Sequence, residues 1–176
     1  MSPPLRTGAD CEALWGGLTD GSIDAVATDH CPFRFAVEKQ CGAGDLTLCP
    51  NGAPGVEERL PVLYSEGVAK GRITLPQLVR LACTGPSRLY GLYPQKGTLQ
   101  PGADADVVIL DPNGTRTLTQ TELHSAADYT CYEGMELAGR IDLVLSHGEV
   151  IVQDNQFLGR KGAGRYLKRG RSCLAE

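Results

Sequence analysis

Ala25-Val26-Ala27-Thr28-Asp29-His30 and Pro50-Asn51-Gly52-Ala53-Pro54-Gly55-Val56-Glu57-Glu58-Arg59 are the two stretches that decide how this chain reads. The first is an apolar run ending in a carboxylate, and the second is a turn-rich loop that feeds a helix. A carboxylate at the end of a buried strand sits where barrel enzymes place catalytic groups, because the strand fixes its direction while the following loop opens to substrate. Asp29 is therefore the first candidate for catalysis.

Working outward from Asp29, residues 10–20 read as a helix with Asp10 as N-cap, Ala13, Leu14 and Leu18 on one face, and Gly21 at its end. Residues 22–28 then read as a short strand buried on both faces. A helix followed by a strand is half a barrel repeat. The segment 31–54 is long for a connection and rich in Gly and Pro, and its place directly after the carboxylate marks it as a functional loop. Val56, Leu60, Leu63 and Val68 recur at helical spacing, with Pro61 interrupting and Gly71 closing the segment. Thr74 is placed to cap a second helix with Pro76 in its first turn, and residues 84–92 form a third.

The pattern changes at Lys96-Gly97-Thr98-Leu99-Gln100-Pro101-Gly102-Ala103-Asp104-Ala105-Asp106. Beyond it lie the predicted strands 107–110 and 115–119. Residues 143–145 are joined to 150–152 through Ser146-His147-Gly148-Glu149 as a hairpin. The boundary between a helical unit and a mostly β unit falls near residue 96.

Composition limits the functions open to this chain. Its 176 residues, 41% of them hydrophobic, suffice for a globular core. The net charge of -4 provides no basic field for nucleic acid, and the only cationic cluster, 165–171, reads as solvated or interfacial. No apolar stretch approaches the roughly 20 residues needed to cross a bilayer, and Met1-Ser2-Pro3-Pro4-Leu5-Arg6 lacks a signal peptide's apolar region. A cytoplasmic protein is expected. The seven cysteines include no Cys-x-x-Cys pair and read as reduced and structural. Cys31 lies two residues after Asp29 but is assigned no role.

Taken alone, Asp29 could equally close a turn or cap a helix. The Pro50-Asn51-Gly52 turn shifts the balance, because its backbone N–H and C=O groups can be presented to a ligand at close range. Asn51 follows Asp29 by 22 residues, so one loop can bring both to the same rim. His30 is adjacent to Asp29 and would face the other way from a strand, which favours a structural role over a metal-ligating one. His124 and His147 fall in the β half and read as surface residues.

These residues carry a family resemblance. Ser2-Pro3-Pro4-Leu5-Arg6, Thr28-Asp29-His30-Cys31-Pro32-Phe33, Pro50-Asn51-Gly52-x-Pro54-Gly55-Val56-Glu57-x-Arg59 and Lys96-Gly97-Thr98 with Gly102-x-Asp104-Ala105-Asp106 resemble the C-terminal part of the dihydropyrimidinase/D-hydantoinase family of cyclic-amide hydrolases. Tyr132-Glu133-Gly134 and Gly162-x-Gly164-Arg165 are similar to the end of that family too. The Asp-His pair is shared by many amidohydrolases. The Pro-Asn-Gly-x-Pro-Gly-Val-Glu loop is the more specific signal.

The resemblance implies an α/β fold: the C-terminal portion of a (β/α)8 TIM-type barrel over residues 1–95, then part of a small β-sandwich and a C-terminal tail over 96–176. It implies two Zn2+ ions per subunit, bridged by a hydroxide and by a carbamylated lysine that this chain lacks. The hydroxide opens a hydantoin or dihydropyrimidine ring to an N-carbamoyl amino acid. Asp29 matches the aspartate that ligates one metal and carries the proton to the leaving nitrogen, and Ser2 and Asn51 match the positions whose backbone groups hold the cyclic amide. A homotetramer is implied as well. The family's other ligands come from an early His-x-His, a lysine and two later histidines, and the three histidines here cannot replace them. The chain is thus expected to be a C-terminal fragment, inactive alone. The alternatives are a non-catalytic dihydropyrimidinase-related assembly protein, which would have no reason to retain Asp29, and a free-standing β-sandwich interaction module.

Overall fold

A computed structural model describes residues 4–172, so the Ser2 candidate lies outside the described residues. The first helix, α1 (Gly8–Asp20), begins two residues earlier than its apolar pattern suggests. Its cap is Thr7 rather than Asp10. The Thr7 hydroxyl accepts from the Asp10 N–H while the Asp10 carboxylate accepts from the Thr7 N–H, a reciprocal capping box that places Asp10 at the third helical position. Gly21 ends the helix at φ +87°, in the left-handed region that an L side chain resists.

Residues 22–28 depart from the expectation of a strand. They run extended, but no sheet partner flanks them among the described residues, and their cross-chain backbone bond runs from the Val26 N–H to the Leu81 carbonyl, 3.2 Å. A strand requires a neighbouring ladder, which local hydrophobicity cannot supply. The loop that follows is held by two short 3-10 turns, Glu38–Gly42 and Leu46–Leu48.

The next helical stretch starts at Arg59 rather than Val56. It forms α2 (Arg59–Leu63) and widens into a π-helical segment, Tyr64–Ala69. The π segment turns Tyr64 and Ser65 towards the sheet. The Ser65 hydroxyl accepts the Ala138 N–H at 3.0 Å, and Gly139 leaves room for the Tyr64 ring, since a Cβ there would lie 2.5 Å from Tyr64 Cε1. Thr74 caps α3 (Leu75–Val79) as expected, in a capping box with Gln77. A π turn, Arg80–Thr84, leads into α4 (Gly85–Leu89).

The β half is a four-stranded antiparallel sheet in the order β1-β2-β3-β4. The expected strands 107–110 and 115–119 are one long irregular strand, β1 (Val107–Thr117), whose register shifts across Pro112-Asn113-Gly114. A proline cannot donate to the ladder, so the shift falls where the pairing is already broken. β2 (Glu136–Ser146) pairs with β3 (Glu149–Gln153) in the expected hairpin, and β4 (Gln156–Phe157) adds a short edge. His147 and Gly148 both have positive φ, as do Asp154 and Asn155 at the next reversal, the twist that tight hairpins favour.

Leu18, Leu63, Tyr64, Ile73, Leu78 and Leu81 form the main core, with Leu110 of β1 packed against it. Leu81 is completely inaccessible. The conspicuous Lys-Gly-Thr…Asp-Ala-Asp segment is an ion-pair knot: Lys96 Nζ lies 2.9 Å from Asp104 Oδ2 and also contacts Asp106 Oδ2, while Asp106 Oδ1 accepts the His147 N–H at 2.9 Å. It ties the connection between the halves to the β2–β3 turn. Burial opposes the Lys96 charge, but hydrogen bonds to Asp106 and Asp104 outweigh it and leave the amine's pKa raised. The hydrogen bond from Lys96 lowers Asp104 in return. At Asp106 burial is the largest influence and acts upward, yet the bonds to Lys96 and His147 bring the net shift down.

Candidate active site

Asp29 sits at the end of the extended segment with φ +46°, a conformation uncommon outside glycine. Its side chain is exposed and takes part in no hydrogen bond or ion pair among the described residues. Such a carboxylate is available to an incoming ligand.

The Pro50–Arg59 loop folds back onto the end of this extended segment. The Cys31 N–H donates to the Ala53 carbonyl at 3.0 Å, and the His30 ring accepts at Nδ1 from the Gly55 and Val56 N–H groups at 3.1 and 3.3 Å. His30 is therefore a structural clamp, as expected, although the strand alternation behind that expectation is absent; accepting at Nδ1 leaves the ring proton on Nε2. Gly52, at φ +92°, packs so tightly that a Cβ would lie 2.6 Å from Cys31 Cβ and 3.9 Å from the Asp29 carbonyl oxygen. Asn51 is exposed on the same turn. The turn that carries Asn51 thus packs against Cys31 and the backbone of Asp29.

Three further groups hold the rim. Lys39 Nζ donates to the Pro50 carbonyl and, at 2.7 Å, to the Gly52 carbonyl. Glu57 accepts from the backbone N–H of His124 and pairs with its ring at 2.8 Å, so His124 lies on the surface as expected and is engaged there. Glu58 is 1% exposed; its Oε1 accepts from the Thr130 hydroxyl at 2.8 Å while Oε2 has no partner among the described residues. Burial raises the nearby Cys131 thiol and Tyr132 phenol, and the Glu58 charge adds to both. Neither is an activated nucleophile. The six described cysteines are unpaired.

The segment 124–132 therefore buttresses the loop from the β side. Asp128 adds to this by accepting from the Phe35 and Ala36 N–H groups at 2.6 and 3.0 Å, bonds that lower its pKa. The sequence contained Glu57 and Glu58 within the decisive motif, but no periodicity distinguishes a carboxylate that will be buried from one that will be solvated.

A metal centre is not complete here. Among the described residues no group of three or more His, Cys, Asp or Glu side chains could hold an ion, and Asp29 stands as a single carboxylate. A groove of about 850 Å³ between the helices and the sheet, lined by Leu75, Leu78, Val79, Val107, Val108 and Leu110, includes neither Asp29 nor Asn51. Among the described residues no helix is long and apolar enough to cross a membrane.

A carboxylate at the end of an extended segment, met by a tight glycine-dependent turn, on a chain of mixed helix and sheet, fits one class of protein. The chain belongs to the amidohydrolase family, whose profile matches residues 3–151. Within it, the chain is similar to the D-phenylhydantoinase of Escherichia coli O1:K1, with 49% identity over 169 residues that cover 96% of this chain and 37% of the relative. Its backbone matches the D-hydantoinase of a Bacillus species with a TM-score of 0.93 and 48% identity, again over 96% of this chain and 37% of that one. The dihydropyrimidinase of Brevibacillus agri matches with a TM-score of 0.93 and 45% identity, over 96% and 36%. The chain spans little more than a third of the length of these relatives.

Proposed function

We propose that this chain is the C-terminal part of a cyclic-amide hydrolase that opens a hydantoin or dihydropyrimidine ring to an N-carbamoyl amino acid. The observation that supports the proposal is the packing of the Asn51 turn against the segment that ends at Asp29, in a chain 49% identical over 169 residues to a D-phenylhydantoinase. Residues 1–95 are read as the end of a TIM-type barrel and 96–176 as part of a β-sandwich with its tail. The assembled enzyme is read as a cytoplasmic homotetramer, in which Asp29 would be this chain's ligand to a two-zinc centre that would activate a water and polarise the ring carbonyl.

The chain's own residues have three tasks in this reading. The Asp29 carboxylate takes a proton from the attacking water and delivers it to the ring nitrogen as the C–N bond breaks, a transfer suited to an exposed carboxylate free of local partners. The Asn51 peptide groups, and those of Ser2, hydrogen-bond the cyclic amide and fix its orientation. The buttressed loop keeps those peptide groups still. Since the described residues form no metal site, the chain by itself is expected to be inactive.

The test is ring opening of hydantoin and dihydrouracil by the intact protein, together with its zinc content. About two zinc per subunit and turnover that disappears in Asp29→Ala are expected. Near-normal turnover in that variant removes Asp29 from the reaction, and a metal-free, inactive intact protein points instead to a non-catalytic assembly role.

A further inference from the structure

We propose that Lys39 is the positioning residue of the substrate-binding turn: its ammonium grips the carbonyls on both sides of Asn51 and so fixes and polarises the Asn51 peptide N–H. This inference rests on the reading that Asn51 holds substrate through its backbone. The Lys39 ammonium donates to Pro50 O and to Gly52 O at 2.7 Å. It has no carboxylate within ion-pair distance among the described residues, so these carbonyls are its counter-charge, with the Phe33 ring 5.7 Å away.

The chemistry follows from which amide is held. The Pro50 carbonyl and the Asn51 N–H belong to one peptide unit. A cation on that carbonyl draws electron density from the nitrogen and makes the N–H a better donor, as it does along any polarised hydrogen-bond chain. The Asn51 N–H and C=O have no backbone partner of their own among the described residues, so the strengthened donor is left for a ligand. An ammonium bonded to two carbonyls also gives charge-assisted hydrogen bonds, which are stronger than neutral ones.

Lys39 is itself aimed by its neighbours. Its N–H donates to the Arg34 carbonyl at 3.1 Å, Arg34 and Glu38 are joined by a side-chain ion pair at 2.7 Å, and Asp128 holds Phe35 and Ala36. The grip therefore extends from the β half, through the 34–38 turn, to Asn51.

Two measurements on the intact protein test the proposal, using Lys39→Met, which keeps the aliphatic stem, and Lys39→Arg, which keeps the charge. In Lys39→Met, amide exchange at Cys31, Gly55 and Val56 should accelerate about tenfold while α3 is unchanged, because those N–H groups depend on the loop's fit. The KM for hydantoin should rise about tenfold with kcat held within about threefold, and Lys39→Arg should recover most of the loss. Unchanged exchange overturns the proposal. So does accelerated exchange without a change in KM, since that is the mark of a merely structural lysine. If the wild-type protein opens no ring, the functional reading fails on its own account, and exchange alone then decides whether Lys39 holds the turn.

Discussion

Replacing Gly52 by alanine would put a methyl group where the turn has no room for one. Two effects add. At φ +92° an L side chain costs about 1–2 kcal/mol in backbone strain. The new Cβ would lie 2.6 Å from Cys31 Cβ and 2.7 Å from its Sγ, an overpacking that costs about 1–3 kcal/mol. The sum, about 2–5 kcal/mol, corresponds to a fall of about 2–5 °C in the melting temperature of an intact protein as long as its relatives. Heat denaturation of the intact protein followed by circular dichroism reads it directly. The two contributions separate in a double-mutant cycle with Cys31→Gly, which removes both contacting atoms. The second substitution should recover the steric share and leave the backbone share in place. A Gly52→Ala melting temperature indistinguishable from wild type, or a cycle with no coupling, would refute the tight seating of the turn against the segment that ends at Asp29.

Leu81→Ala should destabilise the protein by about 2–5 kcal/mol, because the side chain is wholly inaccessible and its loss leaves a cavity; urea denaturation checks this. The Lys96–Asp104–Asp106 knot should give a pH-dependent contribution with a defined sign. Asp104 and Asp106 are lowered, so their contribution is present above the unfolded carboxylate range near 4 and disappears as pH falls through their folded values. Lys96 is raised, so its contribution is present below its unfolded value and disappears as pH rises beyond it. Acid and alkaline melting curves of Lys96→Met against wild type should therefore converge at both extremes and differ most between them. Glu58→Ala should cost about 1–3 kcal/mol by stranding the buried Thr130 hydroxyl. A melt indistinguishable from wild type would mean that water replaces the carboxylate.

Much of the helical half was legible because its signals are local. Gly21 and the Thr74 cap each act within a few residues and appear where the chain's chemistry places them, whereas the apolar spacing that begins at Val56 becomes helix only from Arg59, and Leu75 and Val79 of α3 stay exposed. The Asp10 cap was displaced to Thr7 because the two residues form one reciprocal box, and both are residue types that can cap a helix. Residues 22–28 went wrong for a different reason. Their apolar character is real, but a strand exists only when another segment presents its backbone.

The chain by itself carried the family likeness, the candidacy of Asp29 and Asn51 and the hairpin at His147-Gly148. These depend on side-chain identity, turn chemistry and spacing, all carried in adjacent residues. Only the tertiary structure decided that Lys39 grips the carbonyls flanking Asn51, that Glu58 is buried, and that His124 and Asp128 brace a loop some 70 to 90 residues away. Such partnerships arise when the folded backbone brings distant donors and acceptors within 3 Å, a geometry that no local pattern encodes.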